Sequence, residues 1–330
     1  MVKLRDELGR AAWGLALTAG ALTVLTYLPI LPSWVERLVP FRLHAAVAAT
    51  LLSVLLLALR LPRQAAVWLL LAAANGLWVP PRALPVGVSR LPTRPLKTRP
   101  LTVMTYNVNS DSVRYEQVMN TIRGANADVV ILEELSPKWK QQLVALGDFK
   151  YRSMYPDDSN WGFGILSRLP IVSSELLPWS GIATAYGVRA ELRMGGSEEG
   201  EGVTVTVIGL HPITPVDDPG GAERDAQLVA AAKLAQGVTG PLVVMGDLNT
   251  TPWTRQFRGL LFDGHLRDAA AWRWVGATWP TQLGPLGLPL DHILVGGSVD
   301  VDEVQVAPGT GSDHFGLAAK LAVWDPATRY

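Results

Sequence analysis

Eight side chains that can handle a proton, a metal ion or a phosphate stand at the ends of apolar runs. Asn107 closes LTVMTYN, Glu134 closes DVVILEE and His211 closes VTVTVIGLH, while Asp247 and Asn249 follow LVVMG. Asp291 opens DHILV, and Asp313 with His314 opens the last apolar run. Singly, each has a plain explanation. An Asn after a strand makes a turn, GDLN can be a turn with Asn in left-handed backbone, and a Glu at a strand end is usually solvated. Turn formation explains one or two of these positions, not all of them. Carboxylates with an amide oxygen form a hard, oxygen-rich site suited to Mg²⁺, which keeps waters and a substrate phosphate oxygen. A further carboxylate can orient and deprotonate an attacking water. A His paired to an Asp can stabilise charge on phosphoryl oxygens or assist a leaving group.

Other chemistries find no footing. The chain has no cysteine, which excludes disulfides, thiolate catalysis and Cys-type zinc sites. It has no Gly-rich phosphate loop, GxSxG elbow or HExxH helix, so ATPase, serine-hydrolase and zincin readings lose support.

The elements that must position these residues alternate between strands and helices. Strands are expected over 101–107, 128–132, 162–167, 186–194, 203–210, 242–246, 290–295, 301–306 and 317–323, and helices over 115–125 and 222–236. Many strands with few helices predict an α/β fold of two packed sheets with helices outside. The acidic, Gly-containing stretch 195–202 reads as a hairpin tip. His292 is expected to alternate onto the other face of its strand, and His265 to sit in a loop.

The front of the chain is different. Residues 1–100 carry 12 Lys/Arg and 3 Asp/Glu, whereas residues 101–330 carry 17 and 26, so a +9 segment precedes a −9 one. Three uncharged apolar runs, about 11–35, 43–59 and 64–81, predict three transmembrane helices within a membrane module of residues 1–82. The Pro- and Arg-rich residues 83–100 form a linker, and residues 101–330 the catalytic domain. Lys3, Arg5 and Arg10 before the first run, with Arg60 and Arg63 between the second and third, favour an interior N-terminus and an extracytoplasmic domain. Arg82, Arg90, Arg94, Lys97 and Arg99 argue the other way, but charges beside a long translocated domain count less.

In order along the chain, TYNV (105–108), ADVVILEE (127–134), LHP (210–212), GDLNTTPW (246–253), LDHILV (290–295) and GSDH (311–314) resemble the motifs of the endonuclease/exonuclease/phosphatase superfamily. The resemblance implies a four-layer α/β sandwich and Mg²⁺- or Mn²⁺-dependent cleavage of P–O bonds. It makes Glu134 the principal metal ligand, with Asn107 and Asp313 completing or supporting the metal site. Asp247 would activate the water, Asn249 hold the scissile phosphate, His211 contact the phosphoryl oxygens, and His314 form a pair with Asp291. Glu133 stands where the superfamily usually has Gln, and Asn109 where some nucleases have an acid, which leaves the number of metal ions open. The apolar front joined to this domain is similar to the actinobacterial teicoplanin-resistance membrane proteins. That likeness implies a cell-membrane enzyme acting on lipid-linked cell-wall intermediates such as undecaprenyl pyrophosphate.

The expectation is therefore a membrane-anchored, metal-dependent phosphatase whose partners are the bilayer and a phosphorylated lipid or small molecule. No protein partner is expected. A tethered nuclease or other phosphodiesterase is the alternative, disfavoured by the acidic domain because phosphate-backbone binding needs Lys and Arg. A non-enzymatic membrane scaffold fits poorly, since every motif position holds a competent residue.

Overall fold

The computed structural model of the protein describes residues 2–28, 33–77, 98–195, 202–216, 221–271, 276–307 and 309–325. The chain divides into a helical unit, whose continuous part is Met1–Ala83, and a larger unit of Leu84–Thr251 and Arg255–Tyr330.

The helical unit contains α1 (Val2–Leu25), the short α2 (Ser33–Glu36), a 3₁₀ turn (Val39–Phe41), α3 (Arg42–Ala58) and α4 (Pro62–Gly76). Three spans were expected; among the described residues two segments, Arg5–Leu25 and Val39–Ala58, are long and apolar enough to cross a membrane. The third run yields α4, whose 15 residues fall short of the roughly 20 that a bilayer core requires. Residues 78–81 of that run, and most of the expected linker, lie outside the described residues. The first helix begins nine residues before the expected start, because Lys3, Leu4, Arg5, Glu7, Leu8 and Arg10 are good helix formers in a charge-rich stretch that apolar patterning overlooks. It stops ten residues early, ahead of Pro29, a residue unable to extend the hydrogen-bond ladder. Inside the unit the Trp68 indole donates to the Ala12 carbonyl at 3.3 Å and Ser53 Oγ to the Ala65 carbonyl at 2.8 Å. Outside it, Leu17, Leu51, Val54 and Leu70 are 61–72% exposed.

The larger unit runs β1 (Arg99–Asn107), α5 (Tyr115–Ala125), β2 (Val129–Glu133), α6 (Pro137–Leu143), β3 (Tyr151–Tyr155), β4 (Phe163–Ser167), β5 (Ile171–Pro178), β6 (Ala185–Met194), β7 (Val203–Leu210), α7 (Ala222–Gln236), β8 (Leu242–Asp247), α8 (Arg255–Asp263), β9 (Arg267–Asp268), a 3₁₀ turn (Thr281–Leu286), β10 (Asp291–Gly296), β11 (Val299–Ala307) and β12 (Gly316–Val323). They build two mixed six-stranded sheets, β11-β12-β1-β2-β4-β3 and β5-β6-β7-β8-β10-β9. Alternate residues of the central strands meet between the sheets, among them Val103, Ile131, Ile165, Val188, Val205, Met245 and Ile293. The opposite face of the first sheet buries Tyr106 and Leu132 against Val118 and Ile122 of α5 and Trp139 of α6. The opposite face of the second buries Ile208 and Val244 against Leu228 of α7 and Phe257 of α8. Strands with both faces buried show continuous apolar runs, which explains sequences such as VVIL and LVVM.

Every expected strand is present, and both expected helices have the expected bounds. The additional elements are β3, β5, α6, α8 and β9. The edge strand β5 lacks apolar alternation because much of it faces solvent. The seven-residue α6 is announced by Ser136, whose hydroxyl accepts the Trp139 N–H, and by Pro137, but it is too short for periodicity to reveal. The 195–202 connection joins antiparallel β6 and β7, and its residues 196–201 lie outside the described set.

The topology gathers the polar strand ends. Parallel β1 and β2 place Asn107 beside Glu133, parallel β7 and β8 finish together, and antiparallel β10 sets Asp291 opposite Asp247.

Candidate active site

Close approach of two strands brings His211 to Asp247. A Cβ on Gly246 would lie 1.9 Å from the Leu210 carbonyl oxygen, so the residue before Asp247 can only be glycine. Glu134, Asn109 and Asn249 all adopt left-handed backbone, with φ of 58°, 57° and 47°. Such a conformation is uncommon for a Glu. It ends β2 abruptly and turns Glu134 away from the path followed by Glu133.

The Asn107 amide lies between two carboxylates. Its Nδ2 donates to Glu134 Oε1 at 2.8 Å and to Asp247 Oδ2 at 3.2 Å, while its Oδ1 accepts the Asn109 N–H at 3.0 Å. The Ser110 N–H reaches the other Glu134 oxygen at 3.2 Å. His211 Nε2 stands 3.7 Å from Asp247 Oδ2 and 4.0 Å from Glu134 Oε1, with the Trp161 ring 5.4 Å away. His314 bridges two acids: its Nδ1 is 2.9 Å from Asp291 Oδ2, and its Nε2 is 3.5 Å from Asp247 Oδ2. Asn249 gives its backbone N–H to Asp247 Oδ1 at 3.0 Å and its side-chain amide to the Pro212 carbonyl at 2.9 Å, tying two loops together.

Seven of the eight expected residues thus form one connected group. Asp313 stands a step back. Its two oxygens accept Asn109 Nδ2 at 2.8 Å and Trp279 Nε1 at 3.0 Å, so it connects to Glu134 through the Asn109–Ser110 loop. His292 turns away onto Phe257, with its Nε2 2.9 Å from the Thr250 carbonyl, and His265 sits in an exposed loop.

Burial and charge set the protonation states. Burial alone would raise the Asp247 carboxyl. His314 and His211, the Asn249 N–H and the Asn107 amide outweigh it and hold that group below the usual carboxylate range. Burial likewise opposes a charged His314, but Asp291 and Asp247 raise its pKa to about 10, making it an imidazolium at neutral pH. Glu133 is fully buried, and burial pushes its carboxyl well above the usual range despite the Thr105 hydroxyl donated at 2.5 Å. The shift favours a neutral acid, closer in charge to Gln than to a second metal-binding carboxylate.

Two groupings could receive a cation. Asp247, Asp291 and His314 offer ligand atoms within 4.8 Å of one another. Yet both His314 nitrogens face carboxylates, and a protonated ring has no lone pair to give. Glu134 is the better ligand: its side chain keeps 17% exposure, and Asn107 and Ser110 hold the carboxylate in place. This oxygen-rich, sulfur-free donor set fits Mg²⁺ or Mn²⁺.

Residues 104–314 match the Endonuclease/Exonuclease/phosphatase family. The chain belongs to that family. No curated protein matches the chain. Solved structures of similar fold include an endonuclease/exonuclease/phosphatase family protein from Bacteroides thetaiotaomicron, 16% identical with a TM-score of 0.56, spanning 69% of this chain and 99% of its own. Another is the endonuclease/exonuclease/phosphatase from Beutenbergia cavernae, 21% identical with a TM-score of 0.52, spanning 68% and 72%. A third is D. rerio TDP2 complexed with a single-strand DNA product, 17% identical with a TM-score of 0.54, spanning 67% and 98%. At these identities the likeness is one of fold. Members of the family are hydrolases acting on phosphate esters and are generally dependent on a divalent metal.

Motif reading missed several residues that build the site. Ser312 gives its hydroxyl to the Asn107 carbonyl at 2.7 Å and accepts the His314 N–H at 3.0 Å. Thr278 Oγ1 accepts the Asp291 N–H at 3.1 Å. Ser312 lies within GSDH, but Thr278 and Trp279 belong to no pattern that sequence could reveal.

Proposed function

We propose that the protein is a membrane-anchored, Mg²⁺- or Mn²⁺-dependent phosphatase acting on a membrane-borne lipid phosphate or pyrophosphate. The carrying observation is the convergence of an ionised Asp247, a charged His314 and an accessible Glu134. Glu134, steadied by Asn107, would hold the metal, which when bound supplies charge neutralisation at the phosphate. Asp247 orients the attacking water and accepts its proton. His211 and Asn249 contact the phosphoryl oxygens, and His314, fixed by Asp291, gives a proton to the leaving oxygen. The water oxygen bonds to phosphorus as the P–O bond to the leaving group breaks.

The two apolar segments and the exposed leucines of the helical unit support the membrane reading. A tether helps when the substrate shares the membrane. The substrate is then of the undecaprenyl pyrophosphate type, consistent with the likeness to teicoplanin-resistance membrane proteins, and the domain is extracytoplasmic. The test is phosphate release by the purified chain in detergent, comparing undecaprenyl pyrophosphate, DNA and sphingomyelin. Faster release from the lipid pyrophosphate is expected. A second reading, a tethered nuclease, draws on the shared fold with DNA-bound TDP2. Preferred cleavage of DNA in that comparison would replace the first reading with the second.

A further inference from the structure

Beside the catalytic group lies a groove of about 320 Å³ whose lining includes Asn109, Asp111, Arg114, Gln282 and Asp313. One loop borders both the groove and the site: Asn109 bonds Asp313 at 2.8 Å on the groove lining, and the next residue, Ser110, gives its N–H to Glu134 at 3.2 Å. Several of its polar groups are already occupied. Asp313 receives two N–H donors, and the Ser112 hydroxyl bonds the Gly311 carbonyl. The Arg114 guanidinium and the Gln282 carboxamide are different: both are exposed and make no hydrogen bond or ion pair to another described residue. Glu116, two positions beyond Arg114, is engaged by Arg123 at 3.0 Å. Arg168, Arg189, Arg224, Arg267 and Lys320 each have an acidic partner. Arg114 therefore brings a guanidinium without an ion-pair partner among the described residues to the edge of the site, in a segment whose net charge is −9.

A guanidinium presents parallel N–H donors that match a phosphate, and a carboxamide can add another donor. We propose that the groove is a subsite for a second phosphate of the substrate, joined by a bridging oxygen to the phosphate being hydrolysed, with Arg114 its anchor. This inference rests on the phosphatase reading and adds to it the residue that would select a diphosphate over a monophosphate. The P–O bond to the bridging oxygen breaks and its electron pair stays on that oxygen, which leaves on the second phosphate. The water oxygen bonds to the attacked phosphorus, so the products are inorganic phosphate and a monophosphate. Arg114 offsets the charge gained by the leaving phosphate. Asp111, a carboxylate on the same lining, opposes it.

The experiment compares kcat/KM on farnesyl diphosphate and farnesyl monophosphate for the full chain in detergent and its Arg114→Ala, Arg114→Lys and Asp111→Asn variants. Arg114→Ala is expected to lose about tenfold or more on the diphosphate and less than about twofold on the monophosphate. Arg114→Lys should fall between, and Asp111→Asn should gain on the diphosphate. Equal losses on both substrates, or none, would overturn the subsite. So would a loss confined to a short single-stranded oligonucleotide, which would assign Arg114 to a nucleic-acid backbone. Calorimetric titration with methylenediphosphonate and methylphosphonate reads the subsite without turnover. Arg114-dependent diphosphonate binding by a wild type that hydrolyses neither substrate would remove the phosphatase reading and keep the subsite. Hydrolysis of the diphosphate with binding indifferent to Arg114 would do the reverse.

Discussion

His314 Nδ1 lies 2.9 Å from Asp291 Oδ2, while the other nitrogen of the same ring faces Asp247, the residue paired with Asp291 across β8 and β10. One imidazolium thus joins two carboxylates that would otherwise repel each other in a buried space.

Replacing Asp291 by Asn should lower turnover by about 10²-fold, because the ring loses the partner that orients it and favours its charge. The His314→Ala change should cost at least as much. Circular dichroism should show both variants folded, since Asp291 and His314 lie at strand ends. Near-normal turnover in either would remove the His–Asp pair from the mechanism.

The same ring makes stability depend on pH. Its folded pKa of about 10 exceeds the ordinary value of 6.5, so the stabilisation is complete below pH 6.5. Between those values the folded chain holds a proton that the unfolded chain releases, and the stabilisation declines as pH rises through about 10. The melting-temperature gap between wild type and His314→Ala should therefore narrow from about pH 6 to about pH 10. A constant gap would contradict an imidazolium.

EDTA should abolish phosphate release and Mg²⁺ or Mn²⁺ restore it. Glu134→Ala should weaken Mn²⁺ binding, followed by calorimetry, by about tenfold or more, because the site loses its most accessible anionic donor. Full activity in EDTA would rule out the metal mechanism.

Ser312→Ala should be destabilising without touching any reacting group. It leaves the Asn107 carbonyl and the His314 N–H without their 2.7 Å and 3.0 Å partner, at a cost of about 1–3 kcal/mol. The denaturation midpoint should fall accordingly, while kcat falls less than in His314→Ala. An unchanged midpoint would mean that water replaces the hydroxyl.

Fusions after Tyr330 test the side of the membrane. Active alkaline phosphatase with a dark green fluorescent protein is expected for an extracytoplasmic domain. The opposite pattern would place the domain inside and remove an exterior cell-wall substrate.

Apolar patterning in the sequence determined nine of the twelve described strands and the catalytic candidates at their ends, because a strand buried on both faces must be written as a continuous apolar run such as VVIL or LVVM, whereas β3, β5 and β9 carry no such run. Residue types determined the chemistry available: oxygen and imidazole donors without a thiol. Pairing across the two sheets belongs to the tertiary structure, since contacts such as His314 with Asp291 and Asn107 with Asp247, 140 positions apart, depend on strand order and register. Burial, too, is a property of the packed molecule: it neutralises Glu133, and the N–H groups of Asn109 and Trp279 occupy Asp313. Helix ends escaped apolar counting at the front of the chain, where the charge-rich residues 3–10 extend α1 and α4 stops after 15 residues. Local patterning fixes which residues can sit in a strand; long-range packing decides which of them meet, and what charge each then carries.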